Sequence, residues 1–202
     1  GGFRIGNVQT GPVLMNGYAY PWIDEQILSE TCMYLTSISI FSYGFTEAGE
    51  LVPPAGHGEE DILREARRQA VIPVLVLTPL GADGRFNNNL VAVLVRDLEI
   101  QQKLIRELWT VVQEKGYGEV DVDFEYVLAE DRELYADFVR RLRIIMNLFG
   151  IRVTVALAPK TSREQRGLLY EGIDYRALGE AANGVLLMTY EWGYTYKPIT
   201  LW

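Results

Sequence analysis

Short apolar segments alternate regularly with amphipathic helical segments along the 202-residue chain. The apolar segments are rich in β-branched and aromatic residues, which predicts strands. The six predicted strands are Val13–Tyr20, Leu35–Tyr43, Val71–Thr78, Gly118–Glu125, Ile151–Ala158 and Val185–Tyr190. The predicted helical segments between them are 24–34, 59–70, 88–95, 97–115, 130–149 and 162–182. Alternation of this kind predicts an α/β fold with parallel strands joined by helical crossovers.

Two architectures fit this alternation, an open doubly wound sheet and a closed (β/α)8 barrel of the TIM type. The run Val71–Thr78 is almost continuously apolar, as in strands that are covered on both faces. An open sheet usually carries a glycine-rich phosphate turn after its first strand. Here the first strand ends in Tyr18-Ala19-Tyr20-Pro21 without such a turn, which favours the barrel.

The domain prediction follows from the number of strand-helix units. We expect residues 1–12 to be a leader or linker and residues 13–202 to form the barrel domain. Only about six βα units are recognisable, so the barrel is predicted to be truncated, with its C-terminal units missing. The two unpaired edges of such a sheet predict a homo-oligomer, because exposed strand edges pair readily with other chains.

The fourth predicted strand carries an unusual acidic stripe. Side chains alternate between faces along a strand, so Asp121, Asp123 and Glu125 point the same way. Neighbouring negative charges and poor solvation raise carboxyl pKa values, and a protonated acid can then act as a proton donor. Two other interpretations are a solvated face and a carboxylate site for a hard cation such as Mg²⁺ or Ca²⁺.

Aromatic side chains lie at the ends of other predicted strands. In a barrel the C-terminal strand ends share one rim, where catalytic groups usually lie. Tyr20, Tyr43 and Tyr190 end their strands and would meet the acidic stripe there. Polar and aromatic groups on one rim indicate a sugar-binding cleft, and the solvated-face interpretation becomes less favourable once both sheet faces are covered.

Composition excludes several functional classes. The formal net charge is -8, so the chain offers no basic patch for nucleic acid. Its apolar runs are too short to cross a membrane. Cys32 is the only cysteine, which excludes an intrachain disulfide, and no His/Cys cluster indicates zinc. We therefore expect no nucleic-acid or membrane partner, no bound metal and no cofactor.

The acidic strand resembles a known family signature. Asp121-Val122-Asp123-Phe124-Glu125 is similar to the Asp-Gly-x-Asp-x-Asp-x-Glu motif of family 18 glycoside hydrolases, which include chitinases. Gly118-Glu119 stands where that family has its leading Asp-Gly pair. Met188-Thr189-Tyr190-Glu191 is similar to the family's Met-x-Tyr-Asp segment, with Glu in place of Asp.

A closer resemblance is to the spore-germination and cell-wall branch, whose members cleave peptidoglycan as N-acetylglucosaminidases. The segments that carry it begin at Asn16, Phe41 and Met188, and they read Asn-Gly-Tyr-Ala-Tyr-Pro, Phe-Ser-Tyr-Gly-Phe and Met-Thr-Tyr-Glu-Trp-Gly-Tyr. The resemblance implies an extracellular enzyme of the cell wall or spore envelope.

The resemblance also implies a mechanism and a set of site residues. In this family the substrate's own N-acetyl oxygen attacks the anomeric carbon, with retention of configuration. By resemblance Glu125 is the general acid, Asp123 orients the acetamido group, Asp121 supports Asp123, and Tyr190 bonds the acetamido oxygen. The residues expected to contact substrate are Tyr18, Tyr20, Tyr43, Glu191 and Trp192.

Alternatives from other functional classes remain at this point. The altered leading pair and the missing strands fit a non-catalytic sugar-binding module on the same scaffold. They also fit an incomplete barrel fragment without activity. The presence of Glu125 favours the enzyme, because a lectin needs no proton donor there. The expected partner in either functional case is an N-acetylglucosamine-containing polysaccharide, either peptidoglycan or chitin.

Overall fold

The fold is a curved parallel sheet, half of a barrel, with helices packed on one side. The computed structural model describes residues 15–157, 175–187 and 197–198. Both the predicted leader, residues 1–12, and the end of the predicted sixth strand lie outside these residues.

The strands of the described sheet are short. Their bounds are β1 Met15–Ala19, β2 Ser37–Phe45, β3 Leu51–Val52, β4 Ile72–Leu77, β5 Glu119–Val122, β6 Arg152–Leu157, β7 Gly184–Leu187 and β8 Lys197–Pro198. The neighbour order is β7-β6-β5-β4-β2-β1-β8, with β3 paired to the end of β2. From β1 to β7 the pairs along this order are all parallel.

From β1 to β7, neighbours in the sheet follow each other in chain order once the β3 hairpin is set aside. A doubly wound sheet would reverse its direction of growth partway along the chain. Right-handed crossovers that always advance in one direction place their helices on one face of the sheet, as in a barrel. The predicted class, a (β/α) barrel of the TIM type truncated to about six units, is therefore confirmed.

Helices follow the strands at the predicted places. They are α1 Glu25–Cys32, α2 Gly58–Arg68, α3 Asn89–Arg96, α4 Leu98–Lys115, α5 Arg132–Asn147 and α6 Tyr175–Ala181. Asp24 and Asp97 cap α1 and α4, each accepting two backbone N–H hydrogen bonds, which satisfies donors that a helix start leaves unpaired. A short 3-10 helix, Ala129–Asp131, precedes α5. Gly116 ends α4 in the left-handed conformation.

Alternation along the strands separates two chemically different faces. One face joins the helices in a single apolar core. Its strand residues are nearly inaccessible and include Ile38, Ile40, Leu75, Leu77, Val120, Val122, Val153 and Val155. The other face, called here the inner face, carries polar side chains that are also buried: Asn16, Ser39, Asp121 and Thr154. The helices thus stabilise the sheet from one side, while the polar side chains are gathered on the inner face.

A bulge changes the direction of the side chains in β2. Ile40 pairs with Leu75 and Tyr43 pairs with Leu77, so β2 advances three residues where β4 advances two. An extra residue of this kind moves the following side chains to the opposite face. Beyond it, Gly44 passes so close to β4's following loop that a Cβ would lie 1.8 Å from the Leu80 carbonyl oxygen. Glycine is therefore required at this position.

The sheet edges differ from the prediction. A short strand, β8, pairs antiparallel with β1 through Met15 and Pro198, so the outer side of β1 is occupied over that stretch. On the other side β7 is the last strand of the described sheet. Self-association through open edges stays a prediction, and it now concerns the β7 side.

Candidate active site

Asp121 is the most deeply buried acid of the inner face. It is the third residue of β5, between Val76 on β4 and Thr154 on β6, and its exposed fraction is 0%. The Thr154 hydroxyl donates a 2.7 Å hydrogen bond to Asp121 Oδ1. Because burying a carboxyl group is costly unless it is hydrogen-bonded, this bond helps the chain to tolerate an acid at this depth.

Asp123 and Glu125 lie beyond the end of β5, which is shorter than predicted. The Asp123 amide still donates to the Leu77 carbonyl oxygen at 2.9 Å, so the ladder continues for one residue. Asp123 is 6% exposed, whereas Glu125 is exposed. The acidic stripe therefore runs from a buried carboxyl group to an accessible one at the carboxyl edge of the sheet.

Two buried anchors hold the segment that presents Glu125. Phe124 on one side and Val127 on the other are both buried. The Phe124 ring lies 5.7 Å from the Phe45 ring and 5.6 Å from the Tyr135 ring. Glu125 is thus an accessible acid on a segment with a fixed path.

Tyr135 lies close enough to Asp123 and Asp121 for their negative charges to affect the pKa of its phenol. Burial raises the pKa of its phenol well above the ordinary value, and the charges of Asp123 and Asp121 raise that pKa further. The tyrosine hydroxyl has no hydrogen-bond partner among the described residues. Tyr135 therefore remains protonated, and its ring supports Phe124 from the helix side.

A second polar group lies on the inner face at β1 and β2. The Asn16 amide donates hydrogen bonds to the hydroxyl oxygens of Ser37 and Ser39, at 2.8 and 3.1 Å. Asn16 and Ser39 are both buried. These bonds satisfy polar groups on the inner face of β1 and β2, as buried polar groups require.

Aromatic side chains form a continuous stack at the carboxyl ends of β1 and β2. The Phe41 ring lies 5.1 Å from Tyr18 and 5.2 Å from Tyr20, and the Tyr20 ring stacks on Trp22 at 4.8 Å. Tyr20 is 48% and Trp22 78% exposed. Exposed aromatic rings present flat apolar surfaces, which suit the apolar face of a sugar ring. The predicted residues Tyr18 and Tyr20 thus lie on one aromatic surface at the site's rim.

Tyr43 was predicted to contact substrate, but its side chain lies on the helix-covered face because of the bulge in β2. It is 1% exposed, and its hydroxyl donates to the Glu59 carboxylate. Tyr117 donates to the same carboxylate at 2.6 Å, and Lys115 pairs with it. Tyr43 is therefore part of a buried polar cluster between α2 and α4.

Three further predicted site residues belong to the end of the predicted sixth strand and the segment after it. Tyr190, Glu191 and Trp192 lie outside the described residues, and their roles stay predictions. Conversely, sequence reasoning missed Thr154, Asn16, Phe41 and Trp22. Phe41 and Trp22 lie within or beside the quoted motifs, so the aromatic spacing Tyr18, Tyr20, Trp22 could have indicated them.

The described residues also bear on metals and membranes. No group of three or more His, Cys, Asp or Glu residues in the described part could hold a metal ion. Among the helices that the structure describes, none combines the length and the apolar character needed to cross a bilayer.

The chain is similar to known proteins over most of its length. No protein-family model matches the chain. The chain is 35% identical over 174 residues to the cortical fragment-lytic enzyme of Bacillus subtilis (strain 168), a match that covers 86% of this chain and 39% of that protein. These values confirm the resemblance to the spore-cortex branch.

Solved structures give the same result for the fold. The spore cortex-lytic enzyme SleL of Bacillus cereus matches with a TM-score of 0.78 and 33% identity, over 90% of this chain and 42% of that chain. A class V chitinase from Pseudomonas fluorescens Pf-5 matches with a TM-score of 0.72 over 86% of this chain and 53% of that one. At 24% identity this second likeness concerns the fold. The chain spans about two fifths of the length of the first two proteins, 39% and 42%.

Proposed function

We propose that the chain carries the catalytic acids of a glycoside hydrolase that cleaves β-1,4 linkages in N-acetylglucosamine-containing polymers. The observation that carries this proposal is the arrangement of one accessible and two buried acids at the carboxyl edge of a half-barrel sheet. In barrels this edge is where catalytic groups usually lie. The similarity of the chain to enzymes named for the spore cortex favours peptidoglycan over chitin as the polymer.

The proposed proton donor is Glu125. It is accessible, so it can reach a glycosidic oxygen, and the buried anchors on either side restrict its path. It would protonate the leaving oxygen and then take a proton from the attacking water. General acid-base catalysis of this kind typically contributes about 10²- to 10⁴-fold in rate.

The proposed roles of the two aspartates follow their burial. Asp123, at 6% exposed, would orient the acetamido group so that its oxygen attacks the anomeric carbon, as in substrate-assisted retaining hydrolysis. Asp121, held by Thr154, would support Asp123 from below. Tyr190 is proposed to bond the acetamido oxygen. The aromatic surface of Tyr18, Tyr20, Phe41 and Trp22 would hold the next sugars.

A Glu125→Gln variant tests the acid. We expect it to lower hydrolysis of an N-acetylglucosamine tetramer and of spore cortex fragments by about 10²-fold or more, with binding retained. Glu133→Gln, an exposed acid in the first turn of α5, is the matched control and should hydrolyse at the wild-type rate. Equal rates for wild type and Glu125→Gln would contradict the assignment.

The stereochemistry of the first product tests the retaining mechanism separately. Proton NMR of the fresh product should show the β-anomer before mutarotation. The α-anomer would exclude substrate-assisted retention and indicate direct attack by water.

A sugar-binding function without catalysis is the second candidate. The exposed rings of Tyr20 and Trp22 favour it, because a sugar can stack on them whether or not an acid is positioned nearby. Oligosaccharide binding without turnover by the wild-type chain would support it. In either case the proposed place of action is the spore envelope or cell wall.

A further inference from the structure

The segment that carries Glu125 is joined to α3 by a two-point ion pair. Arg96, the last residue of α3, donates from Nε to Asp131 Oδ1 at 2.9 Å and from Nη2 to Asp131 Oδ2 at 3.0 Å. Its Nη2 also donates to Glu130 Oε1 at 3.0 Å. Asp131 is 2% exposed. A bidentate pair with a buried carboxylate fixes orientation as well as distance.

Asp131 differs from the other aspartates at helix starts in this protein. Asp24 and Asp97 use their side chains to cap α1 and α4. Asp131 occupies the same position before α5, but its side chain makes no capping hydrogen bond. Both of its oxygens bind Arg96 instead. The chain therefore forgoes an ordinary helix cap at this position in favour of the link to α3.

The ion pair between Arg96 and Asp131 holds the C-terminal end of the segment that carries Glu125. At the first end the Asp123 amide is bonded to β4, and Phe124 and Val127 are inserted into the core. At the far end the Asp131 amide donates to the Leu128 carbonyl oxygen at 2.9 Å, and the Asp131 side chain binds Arg96. Without Arg96, the buried Asp131 carboxylate would lack its cation, and the start of α5 could shift.

We infer that Arg96 is a positioning residue for Glu125, holding the segment from Asp123 to Asp131 so that the acid keeps its orientation. This inference rests on the proposed function. Arg96 acts through Asp131 and does not itself touch the substrate. A small displacement of a catalytic group costs rate more than binding, since a misplacement of about 1 Å can lower the rate about 100-fold.

Arg96→Met, Arg96→Lys and a control separate positioning from a general structural role. The control is Arg140→Met, which removes an exposed ion pair to Asp137 on the same helix. With an N-acetylglucosamine tetramer, Arg96→Met should lower kcat about 10- to 100-fold and leave KM within about two-fold. Arg96→Lys should recover part of kcat, because lysine retains the charge but not the bidentate fork. Arg140→Met should match wild type.

A second measurement is independent of turnover. Hydrogen-deuterium exchange of residues 124–130 should be faster in Arg96→Met than in wild type and unchanged in Arg140→Met. A kcat within about two-fold of wild type, or unchanged exchange in this segment, would overturn the inference. A wild-type chain without turnover would contradict the proposed function, and the exchange measurement would still decide whether Arg96 holds the segment.

Discussion

Asp121 and Thr154 face each other on adjacent parallel strands, and the Thr154 hydroxyl donates a 2.7 Å hydrogen bond to Asp121 Oδ1. Asp121 is completely buried, so its environment depends on neighbours rather than on water. Thr154 thus adds a side-chain contact to the backbone pairing between β6 and the acidic strand.

Replacing Thr154 with Val should remove this donor while keeping the shape of the side chain. We expect the free energy of unfolding to fall by about 1–3 kcal/mol, because a buried carboxyl oxygen loses its partner. In the proposed enzyme, kcat should also fall, since Asp121 would no longer support Asp123 in one orientation. Chemical denaturation and steady-state kinetics measure the two effects. Thr154→Ser keeps the hydroxyl and should retain most of both properties.

Replacing Tyr43 with Phe should affect stability and not substrate binding. The variant removes a hydroxyl that donates to the buried Glu59 carboxylate, at a cost of about 1–2 kcal/mol in unfolding free energy. The side chain lies on the helix-covered face, so the dissociation constant for an oligosaccharide should not change. A weakened oligosaccharide affinity with unchanged stability would place Tyr43 at the site after all.

Replacing Trp22 with Ala should have the opposite pattern. The ring is 78% exposed, so unfolding free energy should barely change. Oligosaccharide affinity should fall roughly 3- to 10-fold, since an aromatic contact is worth about 0.5–1.5 kcal/mol. Isothermal titration calorimetry on the Glu125→Gln background measures this without hydrolysis. Tyr34→Ala, another aromatic at 68% exposure but beyond the end of α1, is the control and should bind like the parent.

Replacing Gly44 with Ala should destabilise the fold. A Cβ at this position would lie 1.8 Å from the Leu80 carbonyl oxygen, which is backbone and cannot rotate away. Overpacking of this kind costs about 1–3 kcal/mol, seen as a lower midpoint in urea. Gly179→Ala is the control, because nothing lies within 4 Å of a Cβ there and alanine favours the helix. Equal midpoints for the two variants would contradict the close approach.

Low pH should lower the free energy of unfolding, partly through protonation of Glu65. Hydrogen bonds from Arg68 and Gln69 lower the pKa of the Glu65 carboxyl from 4.5 to about 2. A lowered native pKa gives stability that is present above the unfolded value and is lost as the pH falls from 4.5 towards 2. Glu65→Gln should therefore lower the melting temperature at pH 6 and have a smaller effect at pH 2. The contribution is modest, because Arg68 is largely exposed and solvent screens its interaction with Glu65.

How much of this could be predicted from the sequence differs between the fold and the site. The six parallel strands followed from hydrophobic periodicity, because a strand buried on both faces needs an apolar run such as Val71–Thr78. The face of Tyr43 did not follow, because one extra residue in β2 reverses it and no local residue pattern marks that residue. The partnership of Asp121 with Thr154 also did not follow, because it depends on the register between two strands. The antiparallel β8 had no periodic signal, being two residues long.

The two-faced sheet has a consequence for how this protein can change. Alternate residues along one strand are under different constraints. One set packs against the helices, and the other set faces the site. If every residue were substituted in turn, the tolerance to substitution should therefore alternate from one residue to the next along β5 and β6. In β2 this alternation should be interrupted between Ile40 and Tyr43, so that the measured tolerance to substitution would by itself reveal the inserted residue.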